Sequence, residues 1–212
     1  YDAVFPIDLD GDGDMDIVSD SFSKTAWYEN DGSQSFTART ISTSEDNPQS
    51  VFAIDVDGDG DVDVLSASDN KVAWHENDGS QSFTAHIIST HSGNSKVFAI
   101  DMDGDGDVDV LSASYNNPNG MLFWHENDGS QSFTTHTITT NVGGLNTLLA
   151  LDMDNDGDMD VLLASWSDKT IVYYENDGSQ SFTAHTIASV SALQSLFAID
   201  IDNDGDIDLV TG

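Results

Sequence analysis

Residues 8–16 read Asp8-Leu9-Asp10-Gly11-Asp12-Gly13-Asp14-Met15-Asp16, and four further copies follow at 55–63 (DVDGDGDVD), 101–109 (DMDGDGDVD), 152–160 (DMDNDGDMD) and 200–208 (DIDNDGDID). Each copy has Asp at positions 1, 3, 5, 7 and 9 and Gly at position 6. Like charges at this density repel one another in any regular strand or helix, so the pattern demands a counter-charge. A hard cation that takes six to eight oxygens at about 2.3–2.6 Å supplies one, which points to Ca²⁺, one ion per loop. The candidate metal-binding residues are Asp8, Asp10, Asp12, Asp14 and Asp16; Asp55, Asp57, Asp59, Asp61 and Asp63; Asp101, Asp103, Asp105, Asp107 and Asp109; Asp152, Asp154, Asp156, Asp158 and Asp160; and Asp200, Asp202, Asp204, Asp206 and Asp208. Side chains at positions 1, 3, 5 and 9 are expected to converge. Position 7 is expected to offer its carbonyl, and Gly at position 6 to permit the sharp turn.

Two plainer readings fail. A solvated acidic run would lack the fixed Gly and the apolar segment after each copy, such as MDIVS or VDVLSAS. An EF-hand shares the opening but needs a bidentate Glu at position 12 and flanking helices. Position 12 is Ser19, Ser66, Ser112, Leu163 and Thr211 here, and the residues that follow alternate like a strand.

The chain of 212 residues, 38% hydrophobic, is long enough to bury a substantial core. Five Lys and Arg against 39 Asp and Glu give a formal charge of −34, which five divalent ions would reduce to −24. That balance argues against nucleic-acid binding, which rests on clustered Lys and Arg, and against an anionic membrane as direct partner unless calcium bridges the two. There are no cysteines, hence no disulfides, zinc–thiolate sites or thiol catalysis. No apolar run approaches a membrane span, so no direct membrane insertion is expected. The chain opens on Tyr1 without a visible signal peptide, as expected of a processed or partial chain. Loops tuned to the millimolar calcium found outside cells point to an extracellular or cell-surface protein of the bacterial secreted type.

The first aspartates of successive loops lie 47, 46, 51 and 48 residues apart, a period that signals a repeat architecture. A second block keeps the same step, beginning at Ala26, Ala73, Phe123 and Tyr173, with ENDGSQSFT identical in all four copies. Each unit reads as four short strands. In the second they are Ser50 to Ile54, Val62 to Ser68, Lys71 to Glu76 and Phe83 to Ser89, with Asn77-Asp78-Gly79-Ser80 as hairpin-turn chemistry. No segment has a convincing helical period. The expected fold is all-β: a β-propeller-type array of four-stranded antiparallel blades, with the calcium loop between strands one and two of each. It forms a single array over 1–212, with blades at about 1–46, 47–94, 95–144 and 145–191 and a partial fifth at 192–212. The apolar first strand suits a crowded inner position, and the Thr-, Ser- and His-rich fourth an outer edge.

These residues resemble the FG-GAP/VCBS repeats, related to the propeller of integrin α subunits. The resemblance rests on the acidic loop, the preceding Phe-Ala-Ile (52–54, 98–100, 197–199) and the following Leu-Ser-Ala-Ser. The chain departs from the family in having Phe-Ala for Phe-Gly and Ser-Ala-Ser at 66–68 for Gly-Ala-Pro, which brings it nearer the bacterial VCBS type than integrins. The resemblance implies a calcium-binding, extracellular, non-catalytic propeller used in adhesion or carbohydrate contact.

The fifth unit ends after its second strand, leaving Asp208 to Val210 as an expected unpaired edge. Repeats that add without closing also give fibres, so self-association is one expectation. Trp27, Trp74, Trp124 and Tyr173 share one repeat position and are expected to pack between blades. His75 and His125, equivalent to Tyr28 and Tyr174, are expected to face outward, as are His86, His136 and His185, equivalent to Arg39; His91 falls in a loop. Trp166, Tyr115 and Asn116-Asn117-Pro118-Asn119 stand outside the repeat and are candidate ligand contacts. No Asn-x-Ser/Thr sequon occurs. The leading expectation is a structural or adhesive module without catalysis, because an enzyme site is a unique constellation and these acid clusters are five copies of one. Alternatives are a lectin whose partner is a glycan, another extracellular protein as partner, and a fibre subunit.

Overall fold

Alternating apolar residues bounded by Gly, Asn and Asp make strands wherever the sequence predicts them. The computed structural model describes residues 3–21, 23–114, 120–191 and 193–212. The first sheet comprises β1 (Val4–Ile7), β2 (Asp16–Ser21), β3 (Lys24–Asn30) and β4 (Phe36–Ser42). The second comprises β5 (Ser50–Ile54), β6 (Asp63–Ser68), β7 (Lys71–Asn77) and β8 (Phe83–Ser89). The third comprises β9 (Asn94–Ile100), β10 (Asp109–Ser114), β11 (Gly120–Asn127) and β12 (Phe133–Val142). The fourth comprises β13 (Leu145–Leu151), β14 (Asp160–Ser165), β15 (Thr170–Asn176) and β16 (Phe182–Ser189). A two-stranded sheet of β17 (Leu196–Ile199) and β18 (Asp208–Thr211) follows. Within each sheet the strands pair in chain order and antiparallel. Among the described residues there is no helix, and so none long and apolar enough to cross a membrane. The sheets do not close on themselves.

The second strands of the second, third and fourth sheets are buried on both faces. Every residue of β6, β10 and β14 is inaccessible. That follows from stacking: one face packs on the preceding sheet and the other on the next. First strands meet across the stack through a ladder of rings, Phe5 to Phe52 at 4.8 Å and Phe52 to Phe98 at 4.9 Å between centroids. Fourth strands are the polar, accessible ones.

The aromatic position of strand three knits neighbouring sheets as expected. Trp27 packs with Val51, Ala53 and Val64 of the second sheet, and Trp74 with Val97, Ala99 and Val110 of the third. Trp124 packs with Leu148, Ala150 and Val161 of the fourth. Each indole removes about 200 Å² from water, so each junction gains about 5 kcal/mol before ordering entropy is subtracted.

The strand-three histidines correct the sequence expectation. His75 and His125 do not face outward; both are fully buried. Each is held by the second strand of its own sheet, with Ser66 Oγ 3.1 Å from His75 Nε2 and Ser112 Oγ 2.8 Å from His125 Nε2, and Glu45, in the link from the first sheet, lies 3.6 Å from His75 Nε2. Burial pushes both imidazoles down to about 4, leaving them neutral at pH 7. Tyr174 at the equivalent place is buried too, whereas Tyr28, in the first sheet, is partly exposed. Whether this position sees water is therefore decided by the neighbouring sheet. Tyr115 and residues 116–119, candidate contacts by sequence, lie outside the described residues.

Candidate metal centre

Each acidic loop leaves a first strand and enters a second, so its nine residues turn sharply over one hairpin end. Position 6 adopts φ from +96° to +101° in all five loops, which only Gly tolerates easily. Position 4 is also left-handed, with Gly11, Gly58 and Gly104 in three loops and Asn155 (φ +61°) and Asn203 (φ +59°) in two. That explains the one substitution in the motif, since Asn is the side chain that best accepts this conformation.

The turn directs the backbone N–H groups inward onto the carboxylates. The position-6 N–H donates to Oδ2 of the position-1 Asp, at 2.9 Å for Gly13 to Asp8 and Gly60 to Asp55. The position-7 N–H donates to Oδ1 of the position-5 Asp, at 2.9 Å in four loops and 3.0 Å in the fifth. The position-9 Asp is the most tightly held. Asp63 Oδ2 accepts from Val56 N at 3.1 Å, and its Oδ1 accepts from Asn77 N at 2.7 Å. The same arrangement recurs at Asp16, Asp109 and Asp160.

Three carboxylates therefore converge in every loop: Asp8, Asp10 and Asp16; Asp55, Asp57 and Asp63; Asp101, Asp103 and Asp109; Asp152, Asp154 and Asp160; Asp200, Asp202 and Asp208. One oxygen from each lies within 4.8 Å of the other two, the spread expected of ligands around an ion about 2.4 Å from each. Asp8 Oδ1 and Asp200 Oδ1 are buried with no hydrogen-bond partner, the condition of an oxygen awaiting a cation. A hard divalent ion fits this all-oxygen donor set. The position-5 aspartates Asp12, Asp59, Asp105, Asp156 and Asp204 stand outside the converging trio and serve the turn. The carboxylates of Asp14, Asp61, Asp107 and Asp158 at position 7 instead rest against Gly32, Gly79, Gly129 and Gly178 of the ENDG turn.

The electrostatics bear the mark of crowded, dry acids. Burial pushes Asp63 and Asp109 up to about 6. The Trp74 and Trp124 indole N–H groups lie close enough to offset this in part, though neither reaches hydrogen-bond geometry. Asp10, Asp57 and Asp103 are also raised, by burial first and then by neighbouring acids that include Glu29, Glu76 and Glu126.

The ENDG block is a second half of the site that sequence reasoning treated only as a turn. Its Asn reaches across the hairpin, and Asn77 Nδ2 donates to the Val62 carbonyl at 3.1 Å while its own N–H holds Asp63. Its Glu pairs with the cation or imidazole opposite on strand four: Arg39 with Glu29, His86 with Glu76, His136 with Glu126 and His185 with Glu175, each at 2.6 Å. Those partners lie over the aromatic of strand three, with Trp74 and His86 centroids 4.6 Å apart. The identity of ENDGSQSFT in four copies was the available signal for this role.

A family profile described as FG-GAP-like repeat matches residues 8–66, 55–112, 101–163 and 152–211. The chain belongs to the FG-GAP-like repeat family. Each matched segment runs from one acidic loop through the next, so the family unit and the structural period coincide. No curated protein matches the chain in sequence. Among solved structures it is similar to an Agrocybe aegerita lectin, described for specific recognition of non-reducing terminal N-acetylglucosamine. The identity is 18% and the TM-score 0.69, over 99% of this chain and 60% of the lectin. It is also similar to the V. cholerae biofilm matrix protein Bap1, at 19% identity and TM-score 0.55, over 92% of this chain and 30% of that one. The chain thus spans less than two thirds of the lectin and less than a third of the matrix protein, and the likeness is one of fold.

Proposed function

We propose that these FG-GAP-like repeats form a calcium-stabilised, propeller-type module that serves outside the cell in a structural or adhesive role and does not catalyse a reaction. The observation that carries this reading is the fivefold recurrence of three converging carboxylates at the same hairpin end. In each site the position-1, -3 and -9 aspartates hold the ion, which supplies the positive charge that the crowded acids lack. The ion ties strand one to strand two in a chain without disulfides. A non-catalytic role agrees with the burial of the Ser66–His75 and Ser112–His125 pairs, which no substrate can reach. Thermal unfolding with and without calcium tests the reading. A rise in Tm with millimolar calcium supports it, and an unchanged curve refutes it.

A second reading, glycan binding, is favoured by one specific feature. Trp166 is 43% exposed and lines a cavity of about 1210 Å³ beside the side-chain amides of Asn47, Gln49, Asn146 and Gln194. An accessible indole among amides is the chemistry that takes a sugar ring on its face and its hydroxyls by hydrogen bonds. The lectin neighbour agrees with this reading at the level of fold.

A further inference from the structure

The cavity lies at the starts of the first strands, the end opposite the acidic loops. Gln49, Ser95, Asn146 and Gln194 each stand six residues ahead of the first Asp of their loop, so four repeats contribute one equivalent polar residue to its wall. Along β9 the cavity and the loop are separated by roughly 20 Å of extended chain. That exceeds the Debye length of about 8 Å at physiological salt, so the loop charges are largely screened from it.

Charge singles this place out. The chain has five cationic side chains of Lys and Arg, and two of them, Lys96 and Lys169, line the cavity. Among the described residues neither forms a salt bridge, whereas Arg39 and Lys71 both do. Lys96 is half-buried, and burial alone pushes its ammonium below the usual lysine value; no acid compensates it. One acid, Asp69, shares the lining, and a second, Asp168, adjoins Lys169. Asp69 accepts from Asn47 Nδ2 at 3.1 Å, and Asp168, beside Lys169, accepts from Gly143 N at 2.8 Å. The lining thus carries two cations against one acid, a formal charge of +1 in a protein of net charge −34.

The aromatic wall is built rather than incidental. Gly144 lies against the Trp166 indole where any side chain would collide with the ring. Gly144 N donates to Ser167 Oγ at 2.7 Å, and Trp166 N donates to the Gly144 carbonyl at 2.9 Å. These bonds fix the loop that presents the indole to the cavity.

Resting on the glycan-binding reading and narrowing it, we infer that the cavity binds an acidic saccharide: a sugar ring stacks on Trp166, its hydroxyls meet the ring of amides, and its carboxylate pairs with Lys96 and Lys169. The volume exceeds the ~300–1,000 Å³ of ordinary small-molecule sites, which suits an oligosaccharide better than one sugar. Either a uronate polymer or a terminal sialyl cap supplies this chemistry.

Isothermal titration of the calcium-loaded chain with tetragalacturonate, sialyllactose, and the neutral galactotetraose and lactose tests the inference and separates the two sources. Binding to one or both acidic sugars at least about tenfold tighter than to its neutral counterpart, and weakening as salt rises, is expected. Lys96→Gln and the exposed Lys169→Gln should each remove most of that preference. Trp166→Ala should weaken acidic and neutral sugars alike. Equal binding of acidic and neutral sugars overturns the inference while sparing the glycan reading; no binding of any of the four overturns both. Retention of the acidic preference in Lys169→Gln, the variant least exposed to folding artefacts, also overturns it. The calcium-dependent Tm is read on every variant, so a folding defect is not mistaken for lost recognition.

Discussion

Without calcium, two buried loop carboxyls should lower stability as pH rises, and the size of that contribution follows from their shifts. Asp63 and Asp109 are raised from 3.8 to about 6, chiefly by burial. A carboxyl raised on folding gives its full stability below the unfolded value and loses it as pH climbs through 3.8 to about 6. Between pH 4.5 and 7.5 each such group costs about 2 kcal/mol, hence about 4 kcal/mol for the pair. Asp20, raised to about 8 by burial, contributes a larger change of the same sign, whereas His75 and His125, lowered from 6.5 to about 4 by burial, each act oppositely by about 2–3 kcal/mol over the same window, so the effect is read in an Asp20→Asn background as the difference between proteins with and without Asp63→Asn and Asp109→Asn. Asp31, Asp78, Asp128 and Asp177 are lowered, mainly by the Ser33, Ser80, Ser130 and Ser179 hydroxyls, and they act only below about pH 4. They stay out of the window. Calcium at tenfold over its Kd adds about 1.4 kcal/mol per site, and it binds the ionised form. Urea unfolding followed by the fluorescence of the buried Trp27, Trp74 and Trp124 reads the result. Between pH 4.5 and 7.5 the calcium-stripped Asp20→Asn protein should lose about 4 kcal/mol relative to its Asp63→Asn, Asp109→Asn counterpart, and calcium should shrink or reverse that difference. Parallel pH profiles for the two stripped proteins, or a stripped protein as stable as the loaded one at pH 7.5, refute the account of the loops.

The remaining expectations concern single positions. Asp20→Asn keeps the acceptor for Thr25 Oγ1, which lies 2.6 Å from the carboxylate, and removes a buried acid facing Glu45. The variant should therefore gain stability over wild type as pH rises from 4 to 8, as seen in paired melting curves. Gly79→Ala meets both a φ of +73° and the Asp61 carboxylate, so it should cost more than about 1 kcal/mol in chemical denaturation and weaken calcium binding at the second loop. Asn77→Ala removes the donor to the Val62 carbonyl and should cost about 1–2 kcal/mol; titration calorimetry should find one calcium site weakened and the other four unchanged.

The repeat, its all-β character, the strand positions and the acidic loops were legible in the sequence because they are local or periodic. Gly at position 6 is required by its own φ, alternating residues make strands whatever they pack on, and five equal motifs announce one another. What only the tertiary structure decided arises between segments far apart in the chain. His75 and Tyr28 occupy one repeat position, yet the first is buried and the second half-open, because a preceding sheet covers only one of them. The ENDG block looked like a turn, and its second role as clamp on the position-9 carboxylate appears only once strand three lies beside the loop. Lys96 and Lys169, 73 residues apart, read as two scattered charges until stacking brings their strands' ends around one cavity. Covalent neighbours set conformation, whereas burial and local charge depend on what the folded chain brings alongside.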